Sequence, residues 1–170
     1  MQKINYFDLF DLEQKYDVDQ QIIKDRYLEK QRLYHPDNAQ DPETVNKNIE
    51  ISMMLNKALK ILIDDYFRAE HLLNLYGIET SEQALRSVLS NDQISDIYDQ
   101  FEEIDSIIND HELEIKENAL LSYKESIKKS FAQFIRDRNL TPALDLAVRL
   151  KYLNSLLENI KSKRNAINRD

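Results

Sequence analysis

Tyr34-His35-Pro36-Asp37-Asn38 is the stretch that decides the fold, because it separates two runs of helix-forming residues, 19–34 and 42–63. Proline fixes its own φ and disfavours helix at the residue before it, so the first helix should stop at or near His35. The sequence therefore predicts a helical hairpin that presents His35-Pro36-Asp37 at its tip, where a partner can reach it.

The composition predicts an all-α protein. The 170 residues include only one glycine and three prolines, whereas sheet turns and phosphate-binding loops depend on glycine. The sequence contains no cysteine, which excludes disulfides, thiol catalysis and Cys-ligated metal centres in this chain. The net charge of −8 argues against nucleic-acid binding, which needs a basic surface.

The chain shows neither a long apolar stretch nor a basic-then-apolar leader, so we expect no membrane association and a cytoplasmic protein.

Gly77, the only glycine, is expected to end a helix and to mark a domain boundary, which gives domains 1–76 and 77–170. In the first domain, residues 6–12 predict a short helix of one to two turns. Asp19 can cap the next helix. Within residues 51–62, apolar side chains recur every three or four positions, which predicts the opposing helix.

The second domain is predicted to be a three-helix bundle. Ser90 and Gln93 fit a capping box at the start of its first helix, and Asn109-Asp110 separates that helix from the second. Asn139 is expected to end the second helix, and Thr141-Pro142 to cap and start the third. The apolar stripes of the first two helices are Ile94, Ile97, Phe101, Ile104 and Ile108, followed by Leu113, Leu120, Ile127, Phe131 and Phe134.

The third helix leaves two arrangements open. Its apolar residues follow a heptad, which is typical of either an antiparallel bundle or a coiled-coil homodimer: Leu146, Leu150, Leu153, Leu157 and Ile160. The bundle is favoured because the other two stripes also have to be buried. A second stripe of Leu144, Val148 and Tyr152 is either spare surface for a partner or a continuation of the core.

An HPD tripeptide between two antiparallel helices near the N-terminus resembles a J domain, the module that activates the ATPase of DnaK-type chaperones. The resemblance implies that chaperone binding uses the tripeptide and the basic residues before it: Lys24, Arg26, Lys30, Arg32, His35, Pro36 and Asp37. Asn38 departs from the pattern, because J domains usually have lysine there.

The segment Arg68-Ala69-Glu70-His71-Leu72-Leu73-Asn74-Leu75-Tyr76-Gly77 is similar to the junction of HscB-type co-chaperones of iron–sulfur cluster assembly. The likeness extends over the chain, and it implies two partners: an HscA-like chaperone of the DnaK type and an IscU-type scaffold protein. The implied scaffold-binding residues are Asp92, Asp96, Asp99, Glu103 and Tyr152. Family members carry a Leu and Met run where this chain has Ser90-Asn91-Asp92-Gln93.

No enzymatic activity, metal or cofactor is expected. His35, His71 and His111 lack partners at metal-ligand spacing, and no nucleophile–base pair is present; His71 is expected to be structural. Two other functions stay open. One is a J protein serving a general DnaK-type chaperone with another client, and the other is a structural helical protein that associates through its last helix.

Overall fold

The computed structural model describes residues 4–39 and 41–167, which form eight α-helices and one 3-10 turn. This confirms the all-α prediction for the described residues, although Gln40 of the predicted loop lies outside them. In chain order the elements are α1 Tyr6–Leu9, α2 Gln20–Leu33, the 3-10 turn Pro36–Asn38, α3 Pro42–Ile63, α4 Asp65–Leu75, α5 Glu82–Val88, α6 Asn91–Ser106, α7 Asp110–Arg136 and α8 Leu140–Ile167.

The chain divides into two compact units, of which the first ends at Gly77 and the second begins at Ile78. Gly77 follows α4 with a φ of +81°, and its N–H donates to the Asn74 carbonyl at 3.1 Å. The predicted left-handed helix end is therefore confirmed. Across 4–39 and 41–167, no helix is both long enough and apolar enough to span a bilayer.

Helices α2 and α3 of the first unit run in opposite directions. Gln20 contacts the carbonyl of Ile63 at one end, and the Tyr27 hydroxyl donates to Asn56 Oδ1 at 2.7 Å in the middle. At the other end the Ser52 hydroxyl donates to the Tyr34 carbonyl. In these pairs the residue number increases along α2 while it decreases along α3, so the two helices are antiparallel and the predicted hairpin is confirmed.

The core of the first unit lies between this hairpin, α1 and α4. The short helix α1 is capped by Asn5, and it buries Phe7 completely, with Phe10 directly after its end. The hairpin and α4 contribute further apolar side chains that are fully buried, namely Ile23, Leu55, Ala58, Leu62, Ala69, Leu72 and Leu73.

A break between α3 and α4 is the feature of this unit that periodicity alone does not predict. Asp64 adopts an extended conformation there and caps α4 through the Phe67 N–H at 2.9 Å. Arg68 braces the break: its guanidinium donates to the Tyr16 carbonyl at 2.9 Å and to Asp65 Oδ1 at 2.7 Å. Its side chain is 4% exposed, so the charge is buried with its partner.

The three predicted helices of the second unit are α6, α7 and α8, and a short helix, α5, precedes them. Helix α7 runs antiparallel to α8, because Tyr123 contacts Arg149 and Glu117 contacts Arg164. Asp105 near the end of α6 contacts Asn159 near the end of α8, so these two helices run in the same direction. This is an up-down-up bundle, with α5 packed against α8.

Two boundary predictions in this unit are wrong. Ile108 is 84% exposed rather than part of the α6 stripe, because α6 ends at Ser106 and the extended Ile107 is buried instead. Helix α7 ends at Arg136, before Asn139, with Arg138 in the left-handed region at φ 57°.

The last helix also begins earlier than predicted, at Leu140 instead of after a Thr141 cap. Pro142 still lies within its first turn, where a missing N–H costs no intrahelical hydrogen bond.

Helix α8 is apolar on more than one side because α5, α6 and α7 all pack on it. Val148 of the second stripe is fully buried, as is Leu150 of the heptad, while Leu144 and Tyr152 are half-buried. The two alternatives for the second stripe thus apply to different residues: Val148 continues the core, and Tyr152 retains exposed surface.

Candidate functional site

The HPD turn begins directly after α2, which ends two residues before His35 and three before Pro36. Tyr34 closes α2 through its N–H to the Lys30 carbonyl, and His35 is extended at φ −64° and ψ 132°, as a residue before proline should be. The 3-10 turn follows, closed by the Asn38 N–H on the His35 carbonyl at 3.0 Å. The corner is therefore a defined turn.

Side chains from α3 hold the backbone of this turn in place. The Asn48 amide, which is almost fully buried, donates to the His35 carbonyl at 3.3 Å. The side-chain amide of Asn38 donates to the Arg32 carbonyl at 2.7 Å, at the end of α2. The asparagine that replaces the usual lysine of J domains thus caps the helix before the turn.

The side chains of His35 and Asp37 point away from the core. His35 is 55% exposed and Asp37 is 87% exposed. The Asp37 N–H donates to His35 Nδ1 at 3.2 Å, which holds the ring against the turn. The tripeptide is a rigid backbone corner with two accessible polar side chains, which is a geometry suited to contact with another protein.

The four basic residues before the turn do not share one face of α2. Lys24 and Arg32 lie on one side, and Arg26 and Lys30 lie on another. Lys30 Nζ contacts Asp11 Oδ2 at 2.6 Å, and this contact lowers the pKa of the Asp11 carboxyl. Arg26 contacts Glu29 at 3.0 Å.

Lys24 and Arg32 form no ion pair within 4–39 and 41–167, so they are the more available cations for a partner.

The exposed apolar surface that lies beside the HPD turn is absent from the sequence-based predictions. Leu28 is 50% exposed and Leu33 is 63% exposed on the outer side of α2. Together with Asp25, Glu29 and Arg32 they line a shallow cleft. Leucines off the core face of an amphipathic helix are the sequence signal that points to this surface.

The predicted scaffold-binding carboxylates lie along one exposed side of α6. We call Asp92, Asp96, Asp99 and Glu103 the acidic stripe; all four are exposed. Three of them make no ion pair in the described part of the chain, whereas Glu103 contacts Lys116 of α7 at 2.5 Å. The capping box of Ser90 and Gln93 at the start of α6 is confirmed.

Asp96 of the acidic stripe lines a cavity together with Tyr152. This cavity lies between α6, α7 and α8, and its polar lining is Gln93, Asp96, Gln100, Tyr123, Arg149 and Tyr152. Arg149 Nε donates to Asp145 Oδ2 at 2.9 Å and its Nη1 to the Tyr123 hydroxyl at 3.3 Å. The hydrogen bonds with Tyr123 and Asp145 raise the pKa of Arg149.

Tyr123 and Arg149 are neighbours of Tyr152 that the sequence does not single out. Asp145 and Arg149 have the i, i+4 spacing of an ordinary helix ion pair, which gives no sign that the arginine also reaches α7.

On the other side of α6 lies an apolar groove, which we call the α6 groove. It runs between α5, α6 and α8 and is lined by Arg86, Ile94, Ile97, Tyr98, Phe101 and Tyr152. Tyr152 and Ile97 therefore line both depressions. Among residues 4–39 and 41–167, no group of three or more His, Asp or Glu side chains is placed to hold a metal ion.

A helical hairpin with an exposed HPD turn, followed by a helical bundle, defines the class: a J domain joined to a helical C-terminal domain. No family model matches the chain. It is 40% identical over 83 residues to a protein named co-chaperone protein HscB homolog from Shewanella pealeana, which is 48% of each chain. A protein of that name from Shewanella loihica is 27% identical over 172 residues, 96% of this chain and 99% of the relative.

Solved structures show the same fold. The human co-chaperone protein HscB superposes with a TM-score of 0.86 at 22% identity, over 96% of this chain and 84% of that one. The Jac1 co-chaperone from Saccharomyces cerevisiae gives a TM-score of 0.77 at 23% identity, over 95% of each chain. The resemblance seen in the sequence is confirmed as a similarity: the chain matches proteins named HscB co-chaperone, the first of them over about half of their length, and it shares the fold of HscB structures.

Proposed function

We propose that this protein is a co-chaperone that stimulates the ATPase of an HscA-like chaperone of the DnaK type and delivers an IscU-type scaffold protein to it. The observation that carries the proposal is the HPD turn, which is exposed at His35 and Asp37 and braced from behind by Asn48. In a relative of HscB co-chaperones, such a corner is suited to act on another protein's nucleotide site. The chain itself then carries out no chemical step.

The two partners would use the two units. Chaperone docking is assigned to the HPD turn with Lys24, Arg26, Lys30 and Arg32, and Lys24 and Arg32 are the cations without an intramolecular ion pair in the described residues. Complementary charge of this kind mainly sets the association rate and the orientation. Scaffold binding is assigned to the acidic stripe and Tyr152. We place both activities in the cytoplasm.

The test is the steady-state ATPase rate of the cognate chaperone with this protein, with and without scaffold. The wild-type chain should raise the rate, and scaffold should raise it further. His35→Gln should return the rate to the basal value, because it removes the imidazole that the Asp37 N–H holds in place.

The matched control is His111→Gln, which changes an exposed histidine at the start of α7 and should stimulate like wild type. Full stimulation by the His35→Gln protein, with an unchanged circular dichroism spectrum, would overturn the mechanism.

A second candidate is a J protein that serves a general DnaK-type chaperone with another client. It is favoured by one observation: polar residues, from Ser90 to Gln93, begin α6 where HscB-type proteins carry Leu and Met. Calorimetry that shows no scaffold binding, with stimulation of a general chaperone retained, would select this alternative.

A further inference from the structure

We propose that Asn48, a residue of α3 outside the HPD tripeptide, is a positioning residue for chaperone stimulation. Its buried amide holds the His35 carbonyl, so that the turn is presented to the chaperone in one conformation. The inference rests on the proposed function, because it concerns the same turn and the same partner. It assigns to α3 a part in stimulation that is separate from docking by the cations of α2.

Asn48 occupies a place in α3 where an apolar side chain is expected. The buried side chains of this helix are Asn48, Leu55, Ala58 and Leu62, and Asn48 lies two helical turns before Leu55 on the same face. It is 8% exposed. A buried amide costs free energy unless it is hydrogen-bonded, so an asparagine in this stripe requires a specific partner.

That partner is the carbonyl of His35, which accepts two hydrogen bonds. The Asn48 amide donates to it at 3.3 Å, and the Asn38 N–H donates to it at 3.0 Å. The same carbonyl therefore closes the turn and attaches it to α3. Because the two hydrogen bonds fix the peptide plane between His35 and Pro36, they set the direction in which the imidazole leaves the backbone.

Neighbouring hydrogen bonds replace those that α2 loses at the turn. The last carbonyls of a helix have no intrahelical partner, and Pro36 has no N–H to offer them. Ser52 of α3 donates its hydroxyl to the Tyr34 carbonyl at 3.3 Å, and the Asn38 side chain donates to the Arg32 carbonyl at 2.7 Å. A turn held at several points is organised before the partner arrives, so less conformational entropy is lost on binding.

Docking and stimulation then depend on different features of the first unit. Cations on α2 set the association rate and the orientation of the encounter. The placement of the His35 ring and the Asp37 carboxylate decides what the bound chaperone does. Loss of the Asn48 donor should therefore lower the maximal stimulated rate and leave the concentration for half-maximal stimulation nearly unchanged.

The experiment is a titration of an HscA-like chaperone with the whole chain and its variants, measured as the steady-state ATPase rate. Asn48→Leu keeps a buried side chain of similar size and removes the donor. It should lower the maximal stimulated rate by about tenfold, with the half-maximal concentration within about twofold of wild type. Ser52→Ala, which deletes only a hydroxyl, should lower the maximal rate by a smaller factor. Arg32→Gln should show the opposite result, a raised half-maximal concentration and an unchanged maximal rate.

The matched control is Asn46→Leu, the same substitution at an exposed position of α3, and it should stimulate like wild type. Two further measurements distinguish positioning from a loss of stability. The Asn48→Leu protein should be no less stable to urea, because an apolar side chain replaces an amide in an apolar stripe. Its Asn38 amide should exchange faster with solvent, since the carbonyl that accepts from it has lost its support from α3.

The outcomes separate the role of Asn48 from the function. If the wild-type chain stimulates and the Asn48→Leu and Ser52→Ala proteins reach the same maximal rate, the positioning role is overturned while the proposed function stands. A change in the half-maximal concentration alone would also overturn it, because Asn48 would then act in docking. If the wild-type chain stimulates no DnaK-type chaperone, the proposed function and the positioning role are overturned together.

Discussion

His71 lies half-buried in the first unit, with its ring against Tyr6 and Phe7 at centroid distances of 4.7 and 5.7 Å. Its Nε2 accepts a hydrogen bond from the Tyr6 N–H at 3.1 Å, so the folded state needs the neutral ring. Burial lowers the pKa of His71 to about 4. This histidine ties α1 to α4, in agreement with the structural role expected from its sequence context.

The pH dependence of stability follows from this shift. The pKa of His71 is lower in the folded chain than the value of 6.5 in the unfolded chain, so the stabilisation is complete above pH 6.5 and is lost as the pH falls towards 4. Between pH 7.5 and 4.5 the wild-type free energy of unfolding should fall by about 2 kcal/mol more than that of His71→Phe.

Urea unfolding at several pH values measures this difference, and His111→Gln should behave like wild type. Parallel pH profiles for the wild-type and His71→Phe proteins would show that burial of this ring does not control acid stability.

At the scale of elements, α8 is the helix on which the second unit is built. It contacts α5, α6 and α7, so apolar residues on several of its sides are buried, including Ala147, Val148, Leu150 and Leu156. A heptad alone is compatible with a dimeric coiled coil, but here the seam is occupied by helices of the same chain. The bundle is therefore the arrangement in which α8 buries its apolar surface.

Val148→Ala tests this packing. Val148 is completely buried, with 0% of its surface accessible. The substitution should therefore lower the free energy of unfolding by about 1–3 kcal/mol, through lost apolar burial and a residual cavity. The half-buried Leu144, one turn earlier, is the control, and Leu144→Ala should cost less despite removing more atoms. Chemical denaturation with equal m-values compares them; no effect at Val148 would contradict the packing.

At the scale of the whole molecule, the proposed binding surfaces lie on different compact units. The HPD turn belongs to the unit that ends at Gly77, and the acidic stripe belongs to the unit that begins at Ile78. One chain that holds two partners raises the effective concentration of each for the other, without any new contact between them. The two activities should therefore be separable by mutation.

The double charge reversal Asp96→Lys and Asp99→Lys should raise the dissociation constant for the scaffold at low salt about tenfold or more, and less at high salt. Stimulation of the chaperone in the absence of scaffold should remain at the wild-type level. Calorimetry and ATPase rates measure the two effects, with Glu112→Lys and Glu114→Lys on α7 as a control of equal charge change. Loss of the scaffold-free stimulation would contradict independent surfaces.

The sequence by itself determined the features that depend on neighbouring residues. Pro36 stops α2 by steric restriction, Asp19 and Ser90 cap helices through hydrogen bonds that span two or three residues, and Gly77 accepts a left-handed conformation. Each of these effects acts within one helical turn, so it can be recognised without knowledge of the fold.

Only the tertiary structure decided which side chains are buried and which are brought together. Ile107 rather than Ile108 enters the core, Lys30 contacts Asp11, and Tyr152 lines both a cavity and the α6 groove. The physical reason is that burial depends on which helices pack against each other. Periodicity marks a face as apolar, but it does not say which neighbour covers that face.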